Sequence, residues 1–353
     1  MSGLLQLIIA LSALIILHEL GHFLAARLLN VEVEEFGFGL PPRALTLFKA
    51  GKTEYTLNWL PLGGFVRLKG EHDPETPGGL QSASPWTRLA IYASGPIVNL
   101  AVAILIYALI FTQTGAPDPN KVLIIDVAAE SPAAQAGLSG GDIITRAAGE
   151  EIDSMNELHD TIYAHLGEEI DLTYRRDGES TEVSLVPRQN PPEGEGSIGI
   201  VMSNPVEQVG LLKSFGMGAQ ATYYHARVLV TLPGQIIRGN LSAEMARPVG
   251  YKGMYDIYQD VREMEAPVPE SQININVLQF FATITISLSV LNFLPVPALD
   301  GGRILFTLPE IILGRRIPQE WQNAINTVSF IAMILLLIYI NILDFTNPIE
   351  LPK

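Results

Sequence analysis

Long apolar stretches alternate along this chain with one extended polar middle. Residues 89–111 and 321–343 each run 23 positions without Asp, Glu, Lys or Arg, and 271–299 runs 29. A membrane core about 30 Å thick takes roughly 20 helical residues to cross, so each run is long enough for a span. Residues 2–17 form a fourth apolar run, and the apolar character resumes after a short polar string at 18–22. No basic residue precedes this run, as one would in a secretory signal. The pattern predicts a polytopic α-helical membrane protein with four transmembrane helices, at about 3–28, 88–112, 273–299 and 321–343.

The polar middle has a different period. KVLIIDV (121–127) reads as a strand, and SMNELHDTIYAHL (154–166) as a helix with Met155, Leu158, Ile162 and Leu166 on one side. Alternation in 170–175 and 182–186 gives two more strands around the turn RRDGES. These elements make a compact α+β domain over about 118–189, inserted between the N-terminal half (1–117) and the C-terminal half (271–353). Residues 206–240 mix Leu211, Phe215, Val228 and Leu232 with Lys213, Arg227 and Arg238. That mixture predicts an amphipathic helix on the membrane surface, with a packed helix as the alternative. The stretch 190–270 is otherwise read as linker, and 241–270 as irregular.

Composition sharpens this picture. The chain is 48% hydrophobic and 17% charged, below the roughly 25% charged of soluble domains. It has no cysteine, which excludes disulfides, thiolate ligands and a cysteine nucleophile. A net charge of −15 argues against nucleic acid as a partner. Basic residues gather at Arg27, Arg43, Lys49, Lys52, Arg67, Lys69 and Arg88, and again at Arg303, Arg315 and Arg316. By the positive-inside rule these segments face the cytoplasm, and the termini and middle face away.

The candidate chemistry lies in His18-Glu19-Leu20-Gly21-His22. Helical residues four apart share a face, so both imidazoles can reach one metal ion, with Glu19 beside them as a general base. Idle side chains at a solvated helix mouth are the alternative. A catalytic site needs a third ligand and an open position. Asp300 is the acid at membrane depth elsewhere, closing NFLPVPALDGG (292–302), where Pro295, Pro297, Gly301 and Gly302 break the helix. Asp300 could instead cap a helix or pair with Arg303. His72, in a polar loop, is a substitute ligand only if Asp300 fails, while His159, His165 and His225 read as ordinary structural residues.

With these strings in hand, the chain resembles the site-2 protease family, in its bacterial regulator-of-sigma (RseP-type) branch. The matching strings are HELGHFLAAR (18–27), FGFG (36–39), LPLGGFVRLKGE (60–71), GPIVN (95–99) and NFLPVPALDGG (292–302). ESPAAQAGLSGGDIITRAAGEEIDSMNEL adds a resemblance to a permuted bacterial PDZ domain. The resemblance implies an intramembrane zinc metalloprotease: Zn2+ on His18, His22 and Asp300, Glu19 activating the attacking water, and Asn292 and Pro295 positioning substrate. It implies a supporting role near the site for Asn99 and a membrane-associated β-hairpin over about 36–68. Further implied are the bacterial inner membrane as location, an extracytoplasmic PDZ-like domain, and single-span membrane proteins as substrates. Those substrates would be pre-cleaved, such as anti-sigma factors or remnant signal peptides, in regulated intramembrane proteolysis. Many relatives carry two tandem PDZ domains, whereas this length allows one. The competing reading is a catalytically inactive membrane scaffold or metal carrier using the PDZ-like module.

Overall fold

The computed structural model describes residues 3–71, 73–242, 247–263 and 274–348; His72, residues 243–246 and the 264–273 lead into the third span lie outside them. The chain divides into two compact units, one of residues 1–110 with 212–353 and one of Phe111–Leu211.

In the first unit, helix α1 spans Gly3–Leu28 and is followed by strands β1 (Val33–Ala50) and β2 (Thr53–Leu68) and then by α2 (Pro85–Thr114). Its later helices are α5 (Leu211–Ile237), α6 (Tyr251–Glu263), α7 (Ile275–Phe293), α8 (Asp300–Leu313) and α9 (Gln319–Thr346). Four of these, α1, α2, α7 and α9, are long and apolar enough to cross a membrane. The shortest, α7, has 19 residues, or about 28 Å at 1.5 Å each. Asn274 caps its N-terminus by accepting from the Val277 N–H.

β1 and β2 do more than form a simple hairpin. Phe36 lies opposite both Val66 and Tyr55, and Thr56 opposite both Gly37 and Thr46. The pair therefore folds into a four-segment sheet in the order 43–50, 53–58, 33–38, 64–68. Its 64–68 segment is an edge that runs beside α1. Inside the sheet, Glu35 is buried and accepts from the Thr56 hydroxyl at 2.7 Å, from Arg43 at 2.8 Å and from Arg67. The 43–62 half instead exposes Leu45, Leu47, Phe48, Trp59 and Leu60.

Two segments differ from the sequence reading. Residues 301–320, read as a cytoplasmic loop, are mostly helix α8, and 251–263, read as irregular, is helix α6. The Gly-Gly start and internal Pro309 hid α8, although Ile304, Leu305, Leu308 and Ile311 keep helical spacing. α6 is held from outside its own sequence. Buried Asp344 of α9 accepts from the Gly250 and Gly253 N–H groups at 2.8 and 3.0 Å, satisfying donors that a helix start leaves open. α5 packs on α2, where Gly218 approaches the Ile104 carbonyl and the Tyr107 hydroxyl lies 2.7 Å from His225 Nδ1.

The second unit is a separate α+β domain. Its six-stranded sheet runs β8 (Glu179–Leu185), β7 (Ile170–Arg176), β5 (Ile143–Ala147), β4 (Val122–Val127), β9 (Ile200–Ser203), with β6 (Glu150–Glu151) on β5. Helices α3 (Pro132–Gln135) and α4 (Met155–Ala164) complete it, and β3 (Ala116–Pro117) pairs with β10 (Val206–Glu207). Ser131 and Ser154 cap the two helices. The core comprises Val122, Ile124, Ile144, Leu158, Ile162, Leu172 and neighbours. The domain extends beyond 118–189 because β9 completes one edge, and the polar, Pro- and Gly-rich run at 189–197 concealed that return strand.

Candidate metal centre

α1 presents His18 and His22 on one face, each only 8% exposed. Room for two rings comes from the crossing with α2. A Cβ on Gly21 would come within 2.6 Å of the Ser94 carbonyl oxygen, and a Cβ on Gly95 would overlap the His22 ring. The helices can meet this closely only because both positions are glycine.

Asp300 arrives from the other half of the first unit. α7 ends at Phe293, and Leu294 to Leu299 turn sharply into α8, whose first residue is Asp300. Side chains on Gly301 and Gly302 would collide with the backbone of residues 293–297, so the glycine pair lets the turn close and aims the carboxylate back. Asp300 Oδ2 lies 3.1 Å from His18 Nε2 and 3.2 Å from His22 Nε2, and the two Nε2 atoms are 3.2 Å apart. Arg303 pairs instead with Glu71, at 2.7 Å.

This triangle fits a metal ion. Three donors each about 2.0–2.1 Å from a tetrahedral zinc stand about 3.3 Å from one another. Asp300 Oδ2 is buried with no hydrogen-bond partner, a costly state for a carboxylate that a cation relieves. His22 Nδ1 lies 2.7 Å from the Ile91 carbonyl oxygen. A carbonyl only accepts, so Nδ1 carries the proton and Nε2 keeps its lone pair for a metal.

Glu19 is set apart from the triangle. Its Oε2 accepts from the Val66 N–H at 3.0 Å, on the edge of the sheet. The same cavity, about 250 Å3, is lined by Glu19, Phe65, Val66, Tyr92, Asn292 and Asp300, among others. Asn292 therefore faces the site. Pro295 is exposed, lies outside the cavity lining, and occupies the turn after α7. Asn99 is fully buried with its Nδ2 3.3 Å from His18 Nδ1. The sequence reading missed the Ile91 carbonyl and the Val66 N–H, because backbone groups leave no residue-type signal. It also left Gly95 without a role, although GPIVN contains it.

Comparison with known proteins places the chain in a family. The model of peptidase family M50 matches residues 6–336. A candidate zinc metalloprotease of Clostridium perfringens is 31% identical over 345 residues, 97% of this chain and 98% of its own. The regulator of sigma-W protease RasP of Bacillus subtilis is 25% identical, covering 94% of this chain and 96% of its own. The PDZ domain of an SdrC-like protein from Listeria monocytogenes is 25% identical over 24% of this chain and 87% of that domain, with a TM-score of 0.21. With the family match covering nearly the whole length, the chain belongs to peptidase family M50.

Proposed function

We propose that the chain is an intramembrane zinc metalloendopeptidase that hydrolyses peptide bonds within or near the spans of single-pass membrane proteins. One observation carries this reading: His18 Nε2, His22 Nε2 and Asp300 Oδ2 converge on one point while the Glu19 carboxylate stands beside them uncommitted to it. Two imidazoles and a carboxylate suit Zn2+, and the Bacillus and Clostridium relatives are named as proteases, the latter with zinc. When bound, zinc polarises the scissile carbonyl and lowers the pKa of water.

The chain's own groups supply the rest. Glu19 takes the proton of the attacking water and hands it to the departing amine. The Val66 N–H holds Glu19 Oε2, leaving Oε1 as the atom that carries the proton. A peptide bond inside a helix is shielded by its own hydrogen-bond ladder, so the substrate must be drawn out extended. The 64–68 edge beside Glu19 offers such a segment a strand partner, and Asn292, which lines the same cavity, holds its backbone. Pro295 contributes indirectly, by ending α7 so that the turn can deliver Asp300.

The same reading places the protein in the bacterial inner membrane, with the site towards the cytoplasm. The basic residues of 27–88 and 301–320 support that orientation. The α+β domain would then be extracytoplasmic, a PDZ-like filter that admits pre-cleaved substrates. The sigma-W regulator name of the Bacillus relative supports anti-sigma factors as a substrate class. The direct test is Glu19→Gln, assayed for zinc content and for cleavage of a single-span reporter. Zinc should be retained while cleavage falls by about 10²–10⁴-fold, the usual contribution of a general base. Turnover at the wild-type rate would overturn the role of Glu19.

A further inference from the structure

The two metal-facing histidines are not oriented in the same way. His22 has an unambiguous partner, since the Ile91 carbonyl can only accept and so fixes the proton on Nδ1. For Nε2 of His18 to donate its lone pair as well, its Nδ1 must also carry a proton and find an acceptor. The side-chain partner of His18 Nδ1 is Asn99, and the atom facing it is the Nδ2 amide nitrogen, at 3.3 Å. Two N–H donors would then oppose each other. Meanwhile Asn99 Oδ1 is buried without any hydrogen-bond partner.

The two ends of a carboxamide have nearly the same shape, so hydrogen-bond chemistry decides which end faces the ring. Turning the Asn99 amide by half a revolution puts Oδ1 against the protonated Nδ1 of His18. The NH2 then takes the position in which the oxygen had no partner, so the turn removes the donor–donor conflict while one end of the amide stays unpartnered in either orientation. We propose that Asn99 is a positioning residue that selects the metal-ligating tautomer of His18 through its side-chain oxygen. It does for one imidazole what the Ile91 carbonyl does for the other.

Three features make Asn99 fit for this task. It is fully buried, so water does not compete for the ring nitrogen. Its own carbonyl accepts from the Thr285 hydroxyl at 3.2 Å, which ties its stretch of α2 to α7. One turn earlier, the Pro96 carbonyl accepts from Ser289 at 2.8 Å, so the α2 backbone around Asn99 is held at two points. The side chain thus projects from a fixed base towards His18.

This inference rests on the metal reading of the site, and its test measures zinc rather than turnover. Full-length protein in detergent is titrated against a chromophoric zinc chelator for wild type, Asn99→Ala, Asn99→Leu, Asn99→Asp and Ser289→Ala. Asn99→Leu and the smaller Asn99→Ala should each weaken zinc binding about 10–100-fold, the usual effect of removing a group that orients a ligand. Asn99→Asp keeps an acceptor oxygen in the same place and should stay within about threefold of wild type on the same scale. Ser289→Ala removes one of the two ties on the α2 backbone without touching His18 or the Asn99 side chain, and should weaken zinc binding less than Asn99→Ala does; an equal loss would overturn the inference. Equal affinity of wild type and Asn99→Ala would overturn the inference alone, as would equal loss in Asn99→Asp and Asn99→Ala. A wild-type chain that takes up no zinc would overturn both this inference and the reading beneath it.

Discussion

Gly95 of α2 sits against the His22 ring so closely that even a methyl group there would overlap it. Overpacking a tight site by one methyl costs about 1–3 kcal/mol when the surroundings yield. The three nearest atoms to such a methyl all belong to imidazoles, His22 Nε2 and Cε1 and His18 Cε1, so the rings are what must give way. Gly95→Ala should therefore displace His22 Nε2 from its partners, seen as loss of bound zinc with the helical content retained. A variant with wild-type zinc stoichiometry and affinity would show that α1 and α2 can separate without harm. The two imidazoles were legible from the sequence, since the i and i+4 spacing fixes a shared face before any fold is known. Asp300, which meets them in the structure, was legible only as the one acid near a broken helix. What fixes the donors in place was not legible: the Ile91 carbonyl, the Val66 N–H and the Gly95 gap depend on how two helices and a strand edge meet.

At the scale of elements, the β1–β2 sheet is organised around an acid rather than an apolar cluster. Burial by itself would raise the Glu35 carboxyl, but the hydrogen bond from Thr56 and the Arg43 and Arg67 guanidinium groups hold it below the usual carboxylate range. A carboxyl whose pKa is lower folded than unfolded stabilises the fold fully above its unfolded value, and that contribution disappears as pH falls through the folded one. The sheet should thus hold at neutral pH and loosen in acid, below about pH 4 where a free glutamate gains its proton. Amide exchange of residues 33–68 followed downwards in pH should show this loss, and Glu35→Gln should remove its pH dependence. Unchanged exchange across that range would mean that Glu35 does not organise the sheet. The sequence displayed these strands as FGFG and LPLGGFVRLKGE, yet concealed the four-segment pairing, which depends on contacts between residues about twenty to thirty apart. α6 escaped for a related reason, since its first N–H groups are satisfied by Asp344, nearly a hundred positions away.

Across the molecule, each of the two units meets its solvent by a different rule. In the first unit α9 exposes Ile331, Ile334, Leu335 and Ile338 and buries Gln322 and Asp344, the inverse of a helix adapted to water. Such a face is stable where hydrocarbon surrounds it, and the buried polar atoms are kept for contacts within the bundle. The Phe111–Leu211 unit follows the ordinary rule. Its buried residues Val122, Ile124, Ile144, Leu158 and Leu172 all come from within its own boundaries. Its most deeply buried charge, Asp142, is answered twice by Arg176, at 2.6 and 2.7 Å, and by the Ser139 N–H. That guanidinium is held more firmly protonated by its buried partner, so raising the pH does not discharge it. A unit with its own core and its own satisfied charges should fold alone. Residues 112–210, expressed without the helices, should be soluble without detergent and unfold in one cooperative transition, with an enthalpy of about 60–80 kcal/mol for a domain of this size. Arg176→Met should lower its melting temperature, because it leaves the buried Asp142 carboxylate without its partner. A broad, non-cooperative melt of the isolated piece would show instead that its core is completed by the membrane-spanning half.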